Sequence, residues 1–130
     1  MAAPTITALY AAINAVLNVA LAWRVSNLRR RDRVSLGTGE SNDLLVAVRT
    51  HANSAEFVPL ALLLMLIAEL CGASSVPLHF YGGLLFAGRI AHVVGMPRKA
   101  PNPYRVAGTA LTWGAIVLAS VWVIFLRAHR

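Results

Sequence analysis

The stretch "RTHANSAEFVPLALLLMLIAEL", Arg49 to Leu70, decides how the rest of the chain is read. From Phe57 to Ala68 it is apolar without a break, yet Arg49, His51, Asn53 and Glu56 precede that run in the same expected helix. At about 100° per residue, Arg49, Asn53 and Glu56 fall within about 60° of one another around the axis, and His51 points away. An ionisable side chain inside a membrane span is costly unless it is paired or faces a wet cavity. The stripe therefore needs a reason.

That this is a membrane helix follows from composition. The chain has 130 residues, of which 58% are hydrophobic and 13% charged. A soluble domain carries about a quarter charged residues, so this chain lacks the polar surface to stay in water. Its charges cluster between long apolar runs, as in a polytopic membrane protein. The net charge of +7 is nearly all arginine. Much of it lies at the ends of apolar runs, where it reads as topology and contact with anionic lipid headgroups, not as a nucleic-acid surface. The single cysteine, Cys71, cannot form an internal disulfide and has no Cys or His at metal-ligand spacing, so no metal is expected.

Outward from Arg49 the chain divides into four apolar segments. The expected fold is all-α: one integral membrane domain over residues 1–130, a bundle with spans at about 3–25, 43–71, 76–96 and 104–126. The first run is uncharged. An Ala-x-Ala pattern at Ala20 and Ala22 could suit a signal peptidase, but the basic cluster follows the apolar run, which fits a retained helix. Asn14 and Asn18 share a face of this helix and suit either a hydrogen bond between helices or a ligand contact. A basic connection, "RVSNLRRRDRVSLGTGESND", follows. "SNDL" offers N-cap residues for the second helix, which Pro59 should bend. "GASSVP" turns the chain into the third helix, and "PRKAPNP" ends that helix. The glycines of "GGLLFAG" suggest close helix packing, as in a tight trimer.

Arginine and lysine counts orient the bundle. The first and third connections carry Arg24, Arg29, Arg30, Arg31, Arg33, Arg98, Lys99 and Arg105, while the second carries none. The positive-inside rule then places these connections in the cytoplasm and both termini outside. His79 and His129 read as surface residues at the outer ends, and Arg127 and Arg130 as a basic C-terminal end.

The third helix repeats the opening pattern. Arg89 and His92 share a face near the cytoplasmic end, and Arg105 starts the fourth helix on that side. Arg49, Arg89 and Arg105 outnumber Glu56, so the cluster wants a ligand with more than one anionic group and a donor for the glutamate. Glutathione, with two carboxylates, one ammonium and a thiol, is such a molecule, among other anions.

"R-x-H-x-N-x-x-E" from Arg49 to Glu56, followed about thirty residues on by "G-R-x-A-H" from Gly88 to His92, resembles the membrane-associated proteins in eicosanoid and glutathione metabolism. "LGTGES" and "NSAEFVPLALLL" look like the bacterial branch of that family, whose better-known members are microsomal glutathione transferases and a microsomal prostaglandin E synthase. The resemblance implies a homotrimer of four-helix subunits in a bacterial inner membrane, binding glutathione between subunits as co-substrate. It implies that Arg49, Asn53, Glu56, Arg89 and His92 bind it, with Arg29 or Arg30 reaching over from a neighbour. By the same resemblance Arg105 is the catalytic residue, stabilising the thiolate that attacks an apolar electrophile or reduces a lipid hydroperoxide.

The chain departs from the family pattern in places. Ala52 replaces a basic residue, Met96 stands where many members carry tyrosine, and Val106 follows the last arginine where the synthase has serine. Tyr104 lies nearby, one position displaced. Met96 and Val106 favour a second reading, a non-catalytic relative that binds or scaffolds in the membrane. A small drug exporter shares the size and span count, but its essential glutamate belongs in a first helix that here is uncharged.

Overall fold

The computed structural model describes residues 3–128. His129 and Arg130, read above as part of the basic outer end, lie outside the described residues. Four helices follow in order: α1 (Thr5–Asp32), α2 (Asn42–Leu70), α3 (Ser75–Gly95) and α4 (Pro103–Ala128). Three of them, α1, α2 and α4, are long and apolar enough to cross a membrane. The third, α3, has 21 residues, and Arg89, His92 and His79 dilute its apolar character.

The bundle is arranged for lipid. Large apolar side chains such as Val16, Val19, Val117, Leu118, Val121 and Ile124 face outward, whereas Ala47, Ala61, Ala68, Ala115 and Ala119 are buried. Lipid tails are as apolar as leucine, so helices associate through small residues that let backbones approach. The main core joins Ala61, Met65 and Ala68 of α2 to Leu78, Tyr81 and Leu85 of α3 and Ala115 and Ala119 of α4. Tyr81 is satisfied there by donating its hydroxyl to the Ala61 carbonyl at 3.0 Å.

Two glycines of the expected packing motif act inside the subunit. A Cβ on Gly82 would meet the Tyr10 ring of α1, and one on Gly88 would lie 3.0 Å from Leu111 Cβ of α4. Gly83 faces open space.

The helix ends show what the sequence hid. The basic cluster is not a connection: α1 runs on through Arg29, Arg30 and Arg31 to Asp32. It stops where Arg33 adopts the left-handed conformation, with φ 54°, and Val34 donates back to the Arg29 carbonyl. Arginines are good helix formers, and cations near a helix C-terminus complement its dipole. Arg31 then bridges Asp32 and Asp43 across the turn, and Ser41 Oγ caps α2 by accepting from Leu44 N–H. At the opposite end, α1 has no capping side chain of its own. Glu69, near the end of α2, supplies one: it accepts from Ile6 N–H at 3.0 Å and Thr7 N–H at 2.7 Å.

Candidate functional site

The polar residues of the stripe stand on α2 because the helix runs unbroken from Asn42 through Pro59. Arg49 and Glu56 are exposed on the subunit surface and Asn53 is half-buried. No ion pair or side-chain hydrogen bond joins these three to the subunit among the described residues. Arg49 and Glu56 lie seven residues apart, about 10 Å along the axis, so the stripe is an extended surface and not a closed pair.

The α3 cluster is built the opposite way. Arg89 is 0% exposed and His92 3%. Arg89 donates to Thr112 Oγ1 of α4 at 3.3 Å and lies 3.4 Å from His92 Nδ1, while its Nε–H is enclosed without a partner. Thr112 in turn donates to the Gly108 carbonyl. A fully buried guanidinium without a carboxylate is costly to maintain. Within its own subunit Arg89 offers no surface to a ligand.

Two glycines bring α3 and α4 into register here. A Cβ on Gly108 would collide with the backbone of His92, and one on Gly95 with the backbone of Arg105. The backbones of His92 and Arg105 thus pack against glycines of the opposite helix. Asn102 fixes the corner: its Oδ1 accepts from Arg105 N–H at 3.0 Å, capping α4, and its Nδ2 donates to the carbonyls of Gly95 and Lys99. Sequence reasoning passed over Asn102, although an asparagine directly before a first-turn proline is a helix-start signal.

Arg105 itself is exposed. Beside it runs a groove of about 430 Å3 lined by Asn102, Val106, Thr109, Ala110 and Trp113. Trp113 lies 6.0 Å, ring to ring, from Phe57, which brings α2 against the α4 wall of this groove. Tyr104 does not face the groove floor, because the Arg98 guanidinium lies over its ring at 4.3 Å.

The first-helix arginines divide. Arg29 donates to the Ser35 and Gly37 carbonyls and anchors the turn. Arg30 is exposed and bonds only to Asn27 Oδ1. With Arg33 both line a basic groove of about 470 Å3. The structure thus brings together Arg89, His92 and the Arg105 backbone. It leaves the α2 stripe and Arg30 facing outward.

Comparison with known proteins settles what kind of chain carries this arrangement. The sequence model of the MAPEG family matches residues 7–125, from the first turn of α1 nearly to the end of α4. The chain belongs to the MAPEG family. Among relatives, the inner membrane protein YecN of Escherichia coli (strain K12) is 37% identical over 120 residues, covering 90% of this chain and 91% of YecN. YecN of the O6:H1 strain CFT073 matches to the same extent. The paired motifs on α2 and α3 therefore lie inside a MAPEG match that covers nearly the whole chain.

Proposed function

We propose that this chain is a glutathione-dependent membrane transferase or peroxidase that acts on apolar electrophiles or lipid hydroperoxides. It works as a homotrimer of four-spanning subunits in a bacterial inner membrane, with both termini outside the cytoplasm. The observation that carries this reading is the α2 stripe: Arg49, Asn53 and Glu56 face outward, unpaired within the subunit, on a helix fit to cross a membrane. Charged groups at that depth are tolerated when a neighbouring subunit or a polar ligand covers them. YecN's description as an inner membrane protein supports the location.

The residues present fit glutathione. Arg49 and Arg30 are exposed cations that can each hold a carboxylate with a bidentate fork, and Glu56 can accept from the ammonium. Asn53 completes the polar edge. Arg89 acts from behind: enclosed between α3 and α4, it orients His92 and adds a positive field without touching the ligand. Glutathione supplies the attacking sulfur. Arg105 favours the ionised sulfur, since a cation beside a thiol lowers its pKa from about 8.5. The apolar groove next to Arg105 takes the second substrate from the membrane.

A glutathione titration of the detergent-purified protein by calorimetry tests this, alongside Arg49→Ala, Glu56→Ala and Arg105→Ala. Saturable binding abolished by the first two substitutions is expected. Ultraviolet absorbance of the ionised thiol should be lost in Arg105→Ala. Absence of wild-type binding at millimolar glutathione sinks the proposal. Binding without that absorbance points instead to the non-catalytic relative that Met96 and Val106 suggest.

A further inference from the structure

A third cavity, of about 250 Å3, opens between α1 and α2, and none of the stripe residues lines it. Its walls include Asn14, Asn18, Ser54, Val58, Pro59 and Leu62. Asn14 is 2% exposed. Its Nδ2 donates to the Tyr10 carbonyl at 2.8 Å, which fixes the orientation of the amide and leaves Oδ1 enclosed without a donor. Asn18 Oδ1 is likewise buried and unpartnered. Pro59, in the same wall, has no N–H to give the Ala55 carbonyl one turn earlier. Both asparagines lie deep in the span: Asn14 is about 14 Å along α1 from Thr5, near the middle of a hydrocarbon core about 30 Å thick.

Of these, Asn14 Oδ1 is the acceptor whose orientation is fixed, by the bond its own Nδ2 makes to Tyr10. A buried carbonyl oxygen left without a donor is destabilising, and more so where lipid offers none. The occupant must therefore bring a donor. It should be neutral, because no charged side chain lines the cavity. It should also have an apolar body, because Ala11, Ala15, Val58 and Leu62 form the rest of the wall. Water satisfies only the polar end of the cavity and leaves the wall of Ala11, Ala15, Val58 and Leu62 without contacts.

We propose that this cavity binds a neutral, membrane-soluble alcohol or phenol, whose hydroxyl donates to Asn14 Oδ1 and whose apolar body rests on Val58 and Leu62. The inference does not depend on glutathione: it uses different residues and a different face of α2.

The test uses the full chain in lipid nanodiscs, with empty nanodiscs as control. Para-fluorophenol and its methyl ether, para-fluoroanisole, are titrated and followed by fluorine NMR. The wild type should bind the phenol saturably and about tenfold more tightly than the ether, the margin expected when one hydrogen bond to a buried acceptor is lost. Asn14→Leu should erase that preference, and Asn18→Leu should reduce it. Val58→Phe, which fills the space, should remove saturable binding of both compounds. Equal wild-type affinities overturn the proposal without reference to any variant. So does a wild type no better than empty nanodiscs, or a preference that survives Asn14→Leu.

Discussion

Two glutamates on one helix, Glu56 and Glu69, meet opposite fates. Glu69 accepts two backbone N–H groups of α1 and closes that end of the bundle. Glu56 has no partner among the described residues and faces outward. The same division runs through the whole molecule. At the Glu69 end, the core of Met65, Leu78 and Tyr81 is sealed. At the arginine end, the buried Arg89 lacks a carboxylate, and Arg49, Glu56, Arg30 and Arg105 face out. The carboxylate that closes the bundle is satisfied inside its own chain, and the one on the outward stripe is not.

The sharpest way to break this division is at its packing. Gly108→Val should cost about 3 kcal/mol, the upper part of the overpacking range, because the new Cβ meets the His92 backbone and not a flexible side chain. Detergent-induced unfolding in mixed micelles reads it. The same assay on Glu69→Ala should show a loss of about 2 kcal/mol, since two helix-end donors lose their acceptor. Whatever remains folded should bind glutathione as the wild type does, and an unchanged unfolding midpoint would show that Glu69 is not the cap described. Glu56→Ala should do the reverse. Its stability should stay within about 0.5 kcal/mol, as for a surface substitution, while glutathione affinity falls at least about tenfold, or about 1.4 kcal/mol. A stability loss matching that of Glu69→Ala would erase the distinction between the two carboxylates. The smallest effect belongs to Gly83→Ala. With nothing near its Cβ position, it should gain about 0.5 kcal/mol from helix propensity. Loss of stability there would instead place a neighbouring subunit against α3.

Much of this was legible in the sequence, and the reasons are local. Apolar runs of spanning length, broken by "GASSVP" and "PRKAPNP", mark the helices because glycine and proline act on the backbone within a few residues. The α2 stripe was legible because helical spacing alone puts Arg49, Asn53 and Glu56 on one face. Composition misled at "RVSNLRRRD", since a charged segment just beyond the membrane can remain helical when its residues favour helix. Glu69 was invisible for another reason: its partners lie on a different helix, and no periodicity links them. The missing cap at Pro4 was the one available hint. The sequence also set Arg89 beside Arg49 as an equal ligand contact. Whether an arginine on an amphipathic face points to a site or into a helix seam depends on the glycines opposite, here Gly95 and Gly108.

The contact from Glu69 to the start of α1 has a consequence for biogenesis. Ile6 and Glu69 are 63 residues apart, so the cap of α1 exists only once α2 has been synthesised nearly to its end. Until then its first amides must find water or lipid headgroups, which holds that end of the helix at the interface. The second helix, arriving last at its own far end, latches the first in place. Helix insertion and bundle closure are therefore separate events in this chain, and Glu69 marks the moment of the second.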